Sequence, residues 1–249
     1  MKPRIFAVGL FAMGIALLWS PVTYAQSLPS LTINGGHGTP SQTLSILALL
    51  TVISFLPAIL LTMTAFTRVV TVLSFTRSAL GLQQTPPNQV IIGLSLFLTL
   101  FIMEPTLSAI QHQALTPYLA GHLTLLQAGK KALTPLRLFM YQQTRPSDLA
   151  LFLKMGHVAP PHHLSQVPTL TLIPAFIISE LKTAFEIGVY IFIPFIIVDL
   201  VVSTILMSMG MMMVPPTLIS LPLKLLLFVL ANGWSLVVQS LFLSFHGGG

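Results

Sequence analysis

Four apolar stretches dominate the chain. Residues 44–66 run LSILALLTVISFLPAILLTMTAF, interrupted by Pro57. Residues 90–103 run VIIGLSLFLTLFIM, about 21 Å of helix at 1.5 Å per residue. Residues 170–207 are apolar but broken by Pro174 and Pro194, and they carry Glu180, Lys182, Glu186 and Asp199. Residues 217–245 form the last stretch, with Pro222 and Lys224 near its start. The pattern predicts an all-α protein of kinked helices. The more polar stretch 105–169 reads as an ordered or partly helical segment outside any membrane. GLQQTPPNQ, residues 81–89, reads as a polar turn in which Pro86 and Pro87 end one helix and Asn88 caps the next.

The first residues have the layout of a secretory signal. Lys2 and Arg4 precede the apolar run 5–19, and SPVTYA places small Thr23 and Ala25 at the −3 and −1 positions. Residues 1–25 are thus read as a signal peptide cleaved before Gln26, which leaves Gln26 outside the cytoplasm. A run of this length is short for an uncleaved span. Residues 26–43, rich in Ser, Thr, Gly and Pro, read as a flexible leader, and 44–249 as one domain.

Composition makes the chain an integral membrane protein or a component of a large buried assembly: 54% of residues are hydrophobic, 6% are charged and the mean hydropathy is +0.91. Soluble domains are about one quarter charged. A simple four-span topology nevertheless fits poorly. It puts Lys130, Lys131, Arg137, Arg145 and Lys154 outside, against the positive-inside bias. One span is short and another carries four ionisable groups. Charged, proline-containing helices persist at membrane depth when they pack on protein or beside water. The apolar segments are therefore expected to face other protein chains. The net charge of +6 comes from scattered Lys and Arg, with none of the clustering of a nucleic-acid binder. The chain has no cysteine, which excludes disulfides, thiolate metal sites and Cys nucleophiles.

Within SELKTAFEIG (179–188), Lys182 and Glu186 lie four apart on one helix face and are read as a buried pair, structural or part of a proton relay. Glu180 points away from Lys182, and Asp199 is expected to meet a basic residue on a neighbour. Arg68 and Arg77 read as interface anchors on opposite faces of one helix. His112, His122, His157, His162 and His163 match no metal-ligand spacing, and no catalytic constellation is present. MSMGMMMVPP, residues 207–216, concentrates five of the chain's 11 methionines ahead of two prolines. Such flexible thioethers suit either a deformable apolar constriction or gap filling between subunits.

Two long runs carry a resemblance. MTAFTRVVTVLSFTRSALGLQQTPPNQVIIGLSLFLTLFIMEP (63–105) and ELKTAFEIGVYIFIPFIIVDLVVSTILMSMGMMMVPPTLISLPLKLLLFVLANGW (180–234) resemble the two signature blocks of the FliP family of flagellar export-gate proteins. The resemblance implies a non-enzymatic, cofactor-free, pore-forming subunit of the flagellar type III protein export gate in the bacterial inner membrane and flagellar basal body. It implies kinked helical hairpins packed in a multi-subunit ring, with five copies joined by FliQ and FliR and passing unfolded flagellar proteins. It assigns the pore constriction to Met209, Met211, Met212 and Met213. The virulence type III export gates are the related alternative, and a small-solute transporter is the alternative from another class. One departure is visible: Ala231-Asn232 stands where the family usually has an Asp before Gly-Trp.

Overall fold

A computed structural model describes residues 40–246 apart from 160, 162, 212 and 213. The expected signal peptide and most of the expected leader therefore lie outside the described residues. The chain divides into two compact units, Met1–Leu44 and Ser45–Gly249, and the account below concerns the second.

Every regular element among the described residues is a helix. The α-helices are α1 (Pro40–Met63), α2 (Phe66–Ala79), α3 (Asn88–Ile102), α4 (Glu104–Ile110), α5 (Thr116–Leu119), α6 (Leu125–Gln143), α7 (Pro146–Met155), α8 (Thr169–Ser208), α9 (Pro216–Leu230) and α10 (Gly233–His246), with a π-helical turn at Gln111–Leu115 and a 3-10 turn at Leu164–Gln166. Helix α1 starts inside the stretch expected as leader. The polar stretch 105–169 is mostly helical, as its composition suggested. Thr124 and Gln127 form a reciprocal capping box at the start of α6.

Three apolar segments are bent rather than straight. The turns are 67° between α1 and α2, 64° after α3, and 64° between α9 and α10. At the first bend, hydroxyls take the place of interrupted backbone bonds. Thr64 donates to the Leu60 carbonyl and Thr67 to the Leu61 carbonyl, while the Phe66 N–H donates to Thr64 Oγ1 at 3.3 Å. At the third bend Asn232 adopts φ +51°, a left-handed conformation that asparagine tolerates. Its Oδ1 accepts from the Ser235 hydroxyl at 3.1 Å.

Helix α8 corrects one expectation. It runs unbroken for 40 residues through Pro174 and Pro194. Each proline removes one backbone bond, but buried packing at Leu172, Ala175 and Phe176 around the first and at Phe195 beside the second holds the helix in line. Its length of about 60 Å is twice a bilayer's apolar thickness.

This helix is the spine on which α2, α6, α7 and α9 pack. The α2 face presents Val69, Val72, Leu73 and Thr76, at the i, i+3, i+4, i+7 spacing of a helical stripe, and all four are buried. Phe176 of α8 meets Phe139 of α6 edge-on at 5.9 Å between ring centroids. Arg137 of α6 pins the connection before α8 by donating to the Leu164 and Val167 carbonyls at 3.0 and 2.5 Å. Many large apolar side chains stay exposed on this single chain, among them Phe97, Phe101, Tyr190, Leu200, Val229 and Leu230. An apolar surface of this extent marks contact with protein or lipid. Among the described residues α8 alone is long and apolar enough to cross a membrane, and up to four spans arise if each bent pair counts as one.

Candidate functional site

Arg68 lies at the centre of the fold. Its Nε and Nη2 reach the two carboxylate oxygens of Glu180 at 2.9 and 2.5 Å, and the side chains are 2% and 0% exposed. The remaining guanidinium donors are also used. Nη1 donates to the Ser244 carbonyl and hydroxyl at 3.0 and 3.1 Å, and Nη2 to Gln143 Oε1 at 3.1 Å. The Phe245 ring lies 3.7 Å from the guanidinium carbon. Arg68 is thus no interface anchor, and Glu180, buried as expected, has a partner on α2. Sequence could not pair them because they lie 112 positions apart.

The pairing expected between Lys182 and Glu186 is replaced by two contacts to the start of α7. Lys182 bonds Asp148, and Arg145 binds Glu186 in a two-point contact at 2.8 and 2.5 Å. The Arg145 N–H donates to Ser179 Oγ, which donates to Asp148, both at 2.9 Å. Lys182 and Glu186 do share a face, but Pro146 starts α7 beside that face and brings a fixed acid and a fixed base within reach. Pairs to a second helix also tie down tertiary structure, which an i, i+4 pair within one helix cannot do. Lys182 and Glu186 are about half exposed, so neither is buried in the single chain.

Burial pushes the Asp148 carboxyl upward, but hydrogen bonds from Lys182 and Ser179 outweigh it and hold the group below the ordinary carboxylate value. A lowered folded value means that the contact stabilises the protein fully above the ordinary value of about 3.9 and loses this contribution as pH falls through the folded value. Acidification from pH 6 to 3 should therefore destabilise the purified protein more than it does Asp148→Asn. Thermal unfolding across that range checks this, and parallel profiles for the two proteins would refute it.

Asp199 meets a base on the adjacent helix of its own chain. Lys224 Nζ and Ser220 Oγ each donate to its carboxylate at 2.6 Å, which joins α8 to α9. Arg77 Nη1 donates to Asn88 Oδ1 at 2.6 Å. Asn88 is therefore the first residue of α3 and an acceptor for Arg77; Pro87 occupies the cap position, with no side-chain capping bond. Among the described residues no group of three or more His, Asp or Glu could hold a metal ion.

The methionine stretch follows the end of α8. The Met211 N–H bonds the Leu206 carbonyl and the Gly210 N–H bonds the Met207 carbonyl, at 3.0 and 3.1 Å. With Gly210 at φ +74°, these bonds form a Schellman termination. Gly210 therefore ends α8, whereas Pro215 and Pro216 start α9. The loop presents Met209 at 67% and Met211 at 40% exposure, and Met207, in the last turn of α8 and outside the four residues assigned to the constriction, is 59% exposed. Met212 and Met213 lie outside the described residues.

The FliP family model matches residues 49–241, which takes in the buried Arg68–Glu180 pair, the α7–α8 contacts and the methionine loop. The chain is 56% identical over 205 residues to the flagellar biosynthetic protein FliP of Bacillus subtilis, covering 82% of this chain and 93% of that protein. It is 46% identical over 246 residues to the protein of that name from Cereibacter sphaeroides, covering 98% and 82%. With its counterpart from Pectobacterium carotovorum it shares 48% over 239 residues, covering 95% and 93%. With most of its length matched, from within α1 into α10, the chain belongs to the FliP family.

Proposed function

We propose that this chain is a pore-forming subunit of the flagellar type III protein export gate, with Met209, Met211, Met212 and Met213 forming its constriction. Family membership makes it a membrane-associated component of flagellar biosynthesis and export. The finer reading adds a ring of five copies assembled with FliQ and FliR in the inner membrane at the flagellar basal body. The amino terminus lies outside the cytoplasm after cleavage before Gln26. The cargo is unfolded flagellar protein.

The observation that supports the gate is the Gly210 termination of α8, which leaves Met209 and Met211 exposed on a short loop between two apolar helices. A pore for unfolded chains must yield to many side chains yet exclude ions when empty. Thioether side chains have three rotatable bonds and make no directional demand on cargo. The exposed apolar sides of α3, α8 and α9 support packing against other subunits.

The test replaces Met209, Met211, Met212 and Met213 together with Ala. The chain should still fold, because Met209 and Met211 are exposed on it, and the complex should assemble while membrane conductance and dye uptake rise well above wild type. An assembled complex as tight as wild type would take the gate away from these residues. Failure to assemble would make them packing residues.

A further inference from the structure

The last turn of α10 encloses the buried ion pair. Ser244 gives Arg68 its carbonyl and its hydroxyl, and both bonds span 176 residues of sequence. The Phe245 carbonyl accepts from Gln143 Nε2 at 3.1 Å, and the same Gln143 accepts from Arg68 through Oε1. The Phe245 ring covers the guanidinium on one side and stacks on Phe139 of α6, with 6.2 Å between centroids and 20° between planes. Four helices thus meet at one guanidinium, and α10 is the last of them in the chain.

The alternative state is costly. Without the last turn of α10, Arg68 loses two acceptors and its aromatic cover. Gln143 loses the acceptor that orients its amide, and water gains a path to a charged pair otherwise sealed inside the α2–α8 core. Helix α2 lies early in the chain, Glu180 follows 112 residues later, and Ser244 comes last. The core around Arg68 is therefore incomplete until α10 docks.

We propose that the last turn of α10 is a latch that closes over the Arg68–Glu180 pair, so that docking of Ser244 and Phe245 is the condition for a closed α2–α8 core. The latch acts locally. The α7 contacts to α8 use Arg145, Asp148 and Ser179 and do not involve α10.

The chain's lack of cysteine makes the test direct. A single reporter thiol is placed by Val69→Cys, next to Arg68 at a position 0% exposed. A second, separate reporter is Leu153→Cys on α7, 7% exposed. Both are carried by the full chain in membranes and treated with a maleimide. Phe245→Ala should speed labelling at position 69 by about tenfold or more, through local opening, and leave position 153 protected. Phe245→Tyr, which keeps the ring, should label like wild type. Gln143→Leu keeps the side-chain volume but removes the donor to Phe245 and the acceptor for Arg68. It should also expose position 69 selectively, and it decides the matter if Phe245→Ala does not accumulate. Unchanged labelling at position 69 in these variants overturns the latch. Equal acceleration at both reporters overturns it as well, because the effect would then be global unfolding.

Discussion

Arg68→Ala should destabilise the protein by about 3–5 kcal/mol, the cost of stranding one member of a buried ion pair. Both side chains are almost fully enclosed, so the Glu180 carboxylate cannot recover its partner's contribution from water. The Ser244 carbonyl and Gln143 amide lose a charged donor at the same time. Glu180→Ala should approach the same loss from the other side. The double variant Arg68→Met with Glu180→Met should recover most of it, since well-packed apolar pairs often replace a buried ion pair without loss. Some deficit should persist because Ser244 and Gln143 keep polar groups with no partner. Denaturant unfolding of the purified protein measures all three. A loss below about 1 kcal/mol for Arg68→Ala, in the range of exposed pairs, would contradict this account.

Gly188→Ala should cost about 1–3 kcal/mol, the usual penalty for overfilling a packed contact. A Cβ at position 188 would stand 2.6 Å from Phe75 Cδ2 and 3.1 Å from Cγ, near the base of the ring, where rotation gives little relief. Phe75 is further confined by Phe185 and Phe192, whose ring centroids lie 5.3 and 6.2 Å away. This contact lies on the α2–α8 crossing, the most extensive helix-helix contact among the described residues. The same substitution at Gly93 meets open space and should be close to neutral or slightly stabilising in its helix. Adding Phe75→Leu to Gly188→Ala should return part of the lost stability. Unfolding midpoints for the four proteins test this. Equal stability of Gly188→Ala and Gly93→Ala would show that Phe75 yields without cost.

Helices, their apolar character and the methionine cluster were legible in the sequence because they depend on neighbouring residues. A run such as VIIGLSLFLTLFIM specifies a buried or partnered helix wherever it packs. Helix ends were less legible. Pro174 and Pro194 looked like breaks, yet packing on both sides of α8 outweighs the loss of one backbone bond at each. Gly210, a single residue with φ +74°, ends the helix instead.

The pairing of charges was decided by tertiary structure. Sequence spacing offers Lys182 only Glu186 as a near partner. The fold offers Asp148, 34 residues away, fixed at the start of α7 and already bonded to Ser179. Arg68 shows the same limit more strongly, since its partners come from positions 143, 180 and 244. By itself the sequence determined the class of fold, the apolar surface and the family, which follow from composition and from contiguous runs of residues. Which acid meets which base, and that the last turn of α10 covers Arg68, depended on helices crossing at defined places. A Coulomb contact acts over a few ångströms in space and carries no trace of how much chain lies between its ends.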